Sequence, residues 1–277
     1  MTPKSAIAAA FVASMAMPAA AQDAPDIEMW RLDCGTLQLS DSASFSDTHL
    51  YDGQPRELTD SCYVIRNGEK YLLWDTGLPG AMVGNTITSG VYTVTVARSI
   101  VDQIGDLGLS VSDIDYVGIS HYHFDHVGQL ADFTASTLLI GKDDFDAVRA
   151  ADGTSGIDPK PFAHWLGEGK SEPVSGDKDV FGDGSVTMID APGHTPGHHA
   201  LLVRLPKSGT IMLTGDLYHF EEQITNKGVP QFNTDRADTL ASMHRFDQMA
   251  DNLDATVVIQ HDPRHLIRLP AFPQSAK

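Results

Sequence analysis

His121-Tyr122-His123-Phe124-Asp125-His126 decides how the whole chain is read. Four side chains of the metal-ligating type fall in this short run, directly after Tyr116-Val117-Gly118-Ile119-Ser120, an apolar stretch with the character of a buried strand. In extended backbone, side chains two residues apart project to the same side, so His121 and His123 can grip one cation. The chain then turns into the first turn of a helix and offers Asp125 and His126 to a second cation beside it. Imidazole suits zinc, iron, cobalt or nickel, and the lack of a nearby Cys argues against a closed thiolate site. A solvated charged face would mix Lys and Glu rather than imidazoles. His and carboxylate ligands with room left over point to catalysis rather than to a structural staple.

Three later segments supply further donors, each at the end of a strand-like run. Ala191-Pro192-Gly193-His194-Thr195-Pro196-Gly197-His198 follows the apolar residues 186–189, and its Gly and Pro residues make a sharp turn that holds His194 outward for the first cation. Residues 210–215 run into Asp216, a carboxylate placed to bridge both ions. Residues 255–260 run into His261, which completes the second. Taken singly, each is as readily a turn former or a hydrogen-bonded residue after a strand. Their order after the first motif is what joins them.

With these positions in place, the chain resembles the metallo-β-lactamase superfamily. The family pattern H-x-H-x-D-H matches residues 121–126, its later His matches His194, its bridging Asp matches Asp216 and its last His matches His261. The resemblance implies an α/β fold, an αββα sandwich of two mixed β-sheets flanked by helices, with the metals at one edge. Within the superfamily the chain is most similar to the N-acyl homoserine lactone lactonases. The implied activity is opening of a lactone ring by a hydroxide bridging two divalent metal ions, with zinc as the expected metal. The implied ligands are His121, His123, Asp125, His126, His194, Asp216 and His261, and Asp125 also relays the attacking proton. Asp75, before Thr76-Gly77, stands where the family has an Asp that fixes the loop beneath the metals. These lactonases carry a Tyr three residues after the bridging Asp. Here that position is His219, preceded by Tyr218. Either could donate a hydrogen bond to the substrate carbonyl, but adjacent residues in extended chain point oppositely, and register favours His219. The expected partner is a small-molecule substrate, and a homodimer is a family expectation.

Rival readings remain within reach of the same motif. Some β-lactamases share H-x-H-x-D-H, although their typical dizinc sites lack the bridging Asp. A thioesterase of the glyoxalase II type shares that Asp but adds a C-terminal helical region. A non-catalytic metal-binding protein would make unusual use of so complete a ligand set.

The chain carries 19 basic and 37 acidic residues, a net charge of −18. This balance opposes nucleic acid and anionic lipid surfaces as partners and disfavours a phosphodiesterase or nuclease. Lys4, an apolar stretch from Ala6 to Met17 and the small residues Ala19 and Ala21 predict a secretory signal peptide over residues 1–21, with residues 22–277 as one domain. The apolar stretch is short for a membrane anchor. The expected location is outside the cytoplasm, periplasmic in a Gram-negative source. Cys34 and Cys62 lie on two early strands, and either a disulfide or two buried thiols fits the sequence.

Apolar spacing predicts helices over residues 97–107 (Ile100, Val101, Ile104, Leu107) and 235–252 (Leu240, Met243, Phe246, Met249), and residues 142–150 read as a short helix after the strand Thr137-Leu138-Leu139-Ile140. The last stripe reads as core. Residues 152–183, rich in Gly, Pro, Ser and Asp, read as surface loop. Phe133, Phe162, Trp165, Phe220 and Phe232 are candidates to wall an acyl-chain pocket. His164, His198, His199, His244 and His265 are expected in structural roles.

Overall fold

Two long antiparallel strands, β1 (Ile27–Leu39) and β2 (Arg56–Asn67), form the spine of the first sheet. The computed structural model describes residues 26–277, so the signal peptide expected over residues 1–21 lies outside the described residues. β3 (Lys70–Trp74) extends the spine on one side, and the hairpin of β4 (Thr86–Ser89) and β5 (Tyr92–Thr95) closes the other. Beyond β3 the sheet turns parallel through β6 (Tyr116–Ile119), β7 (Thr137–Gly141) and β8 (Ser171–Val174), completing eight strands. The second sheet holds β9 (Lys178–Asp179), β10 (Val186–Asp190), β11 (His199–Leu205), β12 (Gly209–Leu213) and β13 (Thr256–Val258), antiparallel except for the β12–β13 pair.

Strand parity divides the apolar residues among three layers. Along β2, Tyr63 and Ile65 face inward and meet Met188, Leu201, Val203 and Leu213 of the second sheet, while Cys62 and Val64 face outward. The outward face of the first sheet is covered by Ile100 and Ile104 of α1 (Ile100–Asp106), Val127 of α2 (Phe124–Val127) and Phe145 and Val148 of α3 (Lys142–Ala150). The short helix α4 (Glu222–Asn226) precedes α5 (Arg236–Asn252), whose Met243, Phe246 and Ala250 bury the outward face of the second sheet. Helix–sheet–sheet–helix is the expected sandwich, and each buried Leu, Met or Phe contributes roughly 1.5–3 kcal/mol to holding the layers together. No helix of the described residues is long and apolar enough to cross a membrane.

The helix expected over residues 97–107 is shorter, because Ser99 caps it by accepting a hydrogen bond from the Asp102 backbone. Val101 is 38% exposed rather than core. Residues 152–183 are not all loop: they contain β8 and β9, short edge strands whose polar composition hides them from periodicity. The two cysteines form a disulfide with Cα atoms 5.9 Å apart, made possible by the bulge between Asp33 and Gly35 that shifts β1 against β2. Gly77, at φ +60°, passes so close to the bridge that a Cβ there would lie 2.5 Å from Cys34 Cβ.

α3 is tied to the second sheet by one buried carboxylate. Asp144 accepts hydrogen bonds from Thr195 Oγ1 and the Gly197 backbone, both at 2.7 Å, and so fixes the turn that carries His194. Burial pushes its carboxyl up to about 7, against the pull of those two bonds.

Removing the disulfide in a Cys34→Ala/Cys62→Ala variant frees a segment of 28 residues in the unfolded chain. Loop-closure entropy puts the loss of unfolding free energy at about 3.6 kcal/mol, measurable by urea denaturation; an unchanged midpoint would show that the bridge adds nothing. Because Asp144 holds its proton up to about pH 7 when folded but only to about 3.8 when unfolded, its contribution to stability falls as pH rises between those values. Asp144→Asn should flatten that part of the stability–pH curve, and an unaltered slope would assign it to other groups.

Candidate metal centre

All the candidate ligands sit at one edge of the sandwich, in segments that leave the C-terminal ends of β6, β10, β12 and β13. β6 ends in Ser120, whose backbone N–H donates to Asp75 Oδ1 at 2.7 Å and so sets the direction in which His121 leaves the sheet. His123 forms the N-terminal boundary of α2, a single turn that carries Asp125 and His126. That turn docks closely on the loop after β3: Thr76 N–H donates to the His126 carbonyl, and Gly128 N–H to the Gly77 carbonyl, both at 2.7 Å. A Cβ at Gly128 would fall 2.2 Å from Pro79 N, so only glycine permits the approach.

The seven candidates gather into two groups. One ligand atom from each of His121, His123, His194 and Asp216 lies within 4.8 Å of the others, and the same holds for Asp125, His126 and His261. Asp216 belongs to both. Its Oδ2 is 3.2 Å from His194 Nε2 and 3.5 Å from His121 Nε2, while its Oδ1 is 3.0 Å from His126 Nε2 and 2.9 Å from His261 Nε2.

Hydrogen bonds on the far side of the rings show what this arrangement is built to hold. His194 Nδ1 donates to Asn233 Oδ1 at 2.9 Å, His261 Nδ1 to the Thr59 carbonyl at 2.8 Å, and His126 Nδ1 to Asp75 Oδ2 at 3.0 Å. Each acceptor fixes a proton on Nδ1 and leaves the Nε2 lone pair aimed at the centre. Those lone pairs converge: His194 Nε2 stands 3.1 Å from His121 Nε2, and His126 Nε2 3.2 Å from His261 Nε2. Nitrogens bound at about 2.0–2.1 Å to one tetrahedral ion are separated by about 3.4 Å, close to this spacing. Facing lone pairs with no proton between them repel, and a shared cation removes the conflict. The donor set therefore fits two divalent ions with Asp216 between them.

The electrostatics agree. Burial, reinforced by neighbouring imidazoles, holds His121 and His123 well below the usual histidine range, which keeps them in the neutral form that ligates. Burial opposes charge on Asp216, yet the surrounding rings of His126 and His261 outweigh it and keep the carboxyl well below its ordinary value. Burial likewise opposes protonation of His126 and His261, but Asp216 reverses this, raising the first well above the usual range and the second to about 9. Both rings register the same demand of this corner for positive charge.

Asp75 supports the centre as the resemblance implies: one oxygen holds Ser120 N–H, and the other takes His126 Nδ1 and Gln260 Nε2. His198 was expected in a structural role, and its Nε2 accepts from the Asp216 backbone N–H at 2.9 Å. Gln260 and Asn233 escaped the sequence reading; they are amides that act only through hydrogen bonds, and no spacing rule marks them.

A cavity of about 230 Å³ opens over the two groups, lined by Leu37, Phe45, Leu58, Tyr92, Phe124 and Phe232 on its apolar side and by His123, Asp125, Asp216, His219 and His261 on the other. Of the five aromatic candidates only Phe232 lines it. Phe133, Phe162 and Trp165 are packed with α1 and α3, and Phe220 backs the wall, in one cluster with Leu37, Phe45 and Leu58, without lining the cavity itself. Half of the apolar wall comes instead from strands of the first sheet, through Leu37, Leu58 and Tyr92. His219 faces the cavity, with Nε2 3.1 Å from Asp216 Oδ2 and its ring stacked on His261 at 5.6 Å. Tyr218 does not: its ring is packed beneath α5 and its hydroxyl donates to Asp247 Oδ1 at 2.9 Å. Extended backbone at Tyr218 (φ −136°, ψ 137°) sends the two neighbours to opposite sides.

Comparison with known proteins bears on this edge of the fold. An N-acyl homoserine lactonase AttM of Rhizobium radiobacter is 35% identical over 176 residues, covering 60% of this chain and 65% of that protein, so the chain spans just under two thirds of its length. The AttM lactonase of Rhizobium johnstonii is 31% identical over 257 residues, covering 86% of this chain and 94% of its own. A solved N-acyl homoserine lactone hydrolase, with the product N-hexanoyl-L-homoserine bound at its catalytic metal center, superposes with a TM-score of 0.77 at 24% identity over 90% of this chain and 98% of that one. The family model described as the metallo-beta-lactamase superfamily matches residues 56–261, and the chain belongs to that superfamily.

Proposed function

We propose that this protein is a dinuclear-metal hydrolase that opens lactone rings, with N-acyl homoserine lactones as the substrate class. The observation that carries this is the division of the two Asp216 oxygens between two imidazole groups directly beneath a largely apolar cavity. A polar reacting group over the carboxylates and an aliphatic chain along Leu37, Phe45, Leu58 and Phe232 is the shape of an acylated lactone. The names of the relatives point the same way. Two divalent cations, zinc by the character of the ligands, would be held by His121, His123 and His194 on one side, Asp125, His126 and His261 on the other, and Asp216 between, supplying Lewis acidity and lowering the pKa of water from about 15.7 to about 7.

The chain's own residues do the rest. Asp125 lines the cavity and is only half-buried, so its carboxylate can take the proton of the attacking water and return it to the ring oxygen as the acyl–oxygen bond breaks, giving the hydroxyl of the opened product. His219, at the cavity wall beside Asp216, would donate a hydrogen bond to the substrate carbonyl as its oxygen gains charge. The apolar wall excludes water from the acyl side and fixes the ring over the carboxylates. The leader-like start and the disulfide support an exported protein.

Metal-analysed protein assayed against a panel of acyl homoserine lactones, a cephalosporin and a glutathione thioester should hydrolyse the lactones fastest. Preference for the β-lactam or thioester would replace this reading with a β-lactamase or a glyoxalase II-like enzyme. His123→Ala and Asp216→Ala should each lose bound metal and reduce lactone turnover by at least about 1,000-fold; activity persisting in metal-depleted variants would refute the scheme. His219→Ala should keep its metal and lower kcat by about 100-fold, while Tyr218→Phe stays near wild type. Equal, undiminished rates in both would dismiss the role given to His219.

A further inference from the structure

Asp60 has no part in the ligand set, yet it is 1% exposed and neither of its carboxylate oxygens has a hydrogen-bond partner among the described residues. An unpaired carboxylate in such surroundings is costly, and a fold keeps one only where something compensates it. Its position narrows what that is. Leu58, Asp60 and Cys62 share one face of β2: Leu58 lines the cavity beside Asp125, Asp216 and His261, and Cys62 is in the disulfide, so Asp60 lies between the cavity floor and the bridge. The backbone beside it is bonded to a candidate ligand, since Thr59 N–H donates to the His261 carbonyl at 3.0 Å and the Thr59 carbonyl accepts from His261 Nδ1 at 2.8 Å. Burial pushes the Asp60 carboxyl well above its ordinary range, opposed by the nearby His126 and His261 and reinforced by Asp125 and Asp75. Of these neighbours, the two rings are neutral when they act as ligands and the other two groups are carboxylates.

We propose that Asp60 is an additional anionic group of the Asp125–His126–His261 half-site, a positioning carboxylate whose charge is balanced by the divalent cation held there. This rests on the two-metal reading of the site. It gives the two half-sites unequal character: His121, His123 and His194 surround one ion with neutral rings, whereas the other ion is flanked by Asp125 and Asp60 in addition to the shared Asp216. The second half-site is thereby biased toward higher positive charge, and the metal-free protein bears the cost of the orphaned carboxylate.

Asp60→Asn keeps the shape and removes the charge, and Asp60→Leu removes the polar group altogether. With zinc alone as the probe, chelator competition on wild type should resolve two bound equivalents. In both variants one equivalent should weaken by about 10- to 100-fold while the other is unchanged, and the thermal midpoint of the metal-free protein should rise. Opposite movement of metal affinity and metal-free stability separates this role from a merely structural one, which would lower both. Unchanged affinity for both equivalents, or a fall in metal-free stability alongside the fall in affinity, would overturn the inference. Two equivalents bound by wild type with no effect of either substitution leaves the proposed function standing and removes only Asp60; fewer than two bound by wild type overturns both.

Discussion

The rest of the structure depends on one buried anion shared between two sets of rings. Asp216 is 3% exposed, and each of its carboxylate oxygens faces a different imidazole group. A carboxylate so desolvated is unfavourable unless positive charge and hydrogen bonds converge on it. The fold meets that need by bringing together segments from β6, β10, β12 and β13, no two of them adjacent in sequence. Gly215, at φ +52°, lets the chain turn sharply after β12, and His198 holds the Asp216 backbone from the neighbouring turn. Both sheets thus converge on the same point, and the sandwich positions the centre rather than merely carrying it.

Around that anion lies a shell of groups whose work is to decide where protons sit. Asn233, the Thr59 carbonyl and Asp75 each take an Nδ1–H, which turns three rings into ligands by their Nε2 atoms. These partners come from three different places: the segment before α5, an interior strand of the first sheet, and the loop after β3. Orientation of the centre is therefore enforced from several independent elements, and error in any one ring is limited by the others.

How much of this could be read beforehand follows from what constrains each residue. Metal ligation restricts residue type and spacing severely, so His121, His123, Asp125, His126, His194, Asp216 and His261 stood out from the sequence, and the structure brings all seven to one edge. The helix over residues 235–252 was legible because an apolar stripe repeats along it, and the one over 142–150 because it follows directly on a strand-like run. The β4–β5 hairpin and the edge strands β8 and β9 were not, since short edge strands with polar faces lack a period. The cavity wall was missed for a different reason: Leu37, Leu58 and Tyr92 are ordinary strand residues, and only the tertiary arrangement turns them toward the metals. The disulfide lay open in the sequence because it depends on a one-residue bulge that no pattern announces.

The cavity is bounded on one side by β1, β2 and β5 and on the other by residues that follow β12 and β13. Leu37 and Leu58 stand opposite each other on paired strands, so the spacing of this wall is fixed by the backbone ladder of the first sheet. A change of side chain at Leu37 or Leu58 would reshape the apolar side of the cavity while the turns that carry His194, Asp216 and His261 stay where they are.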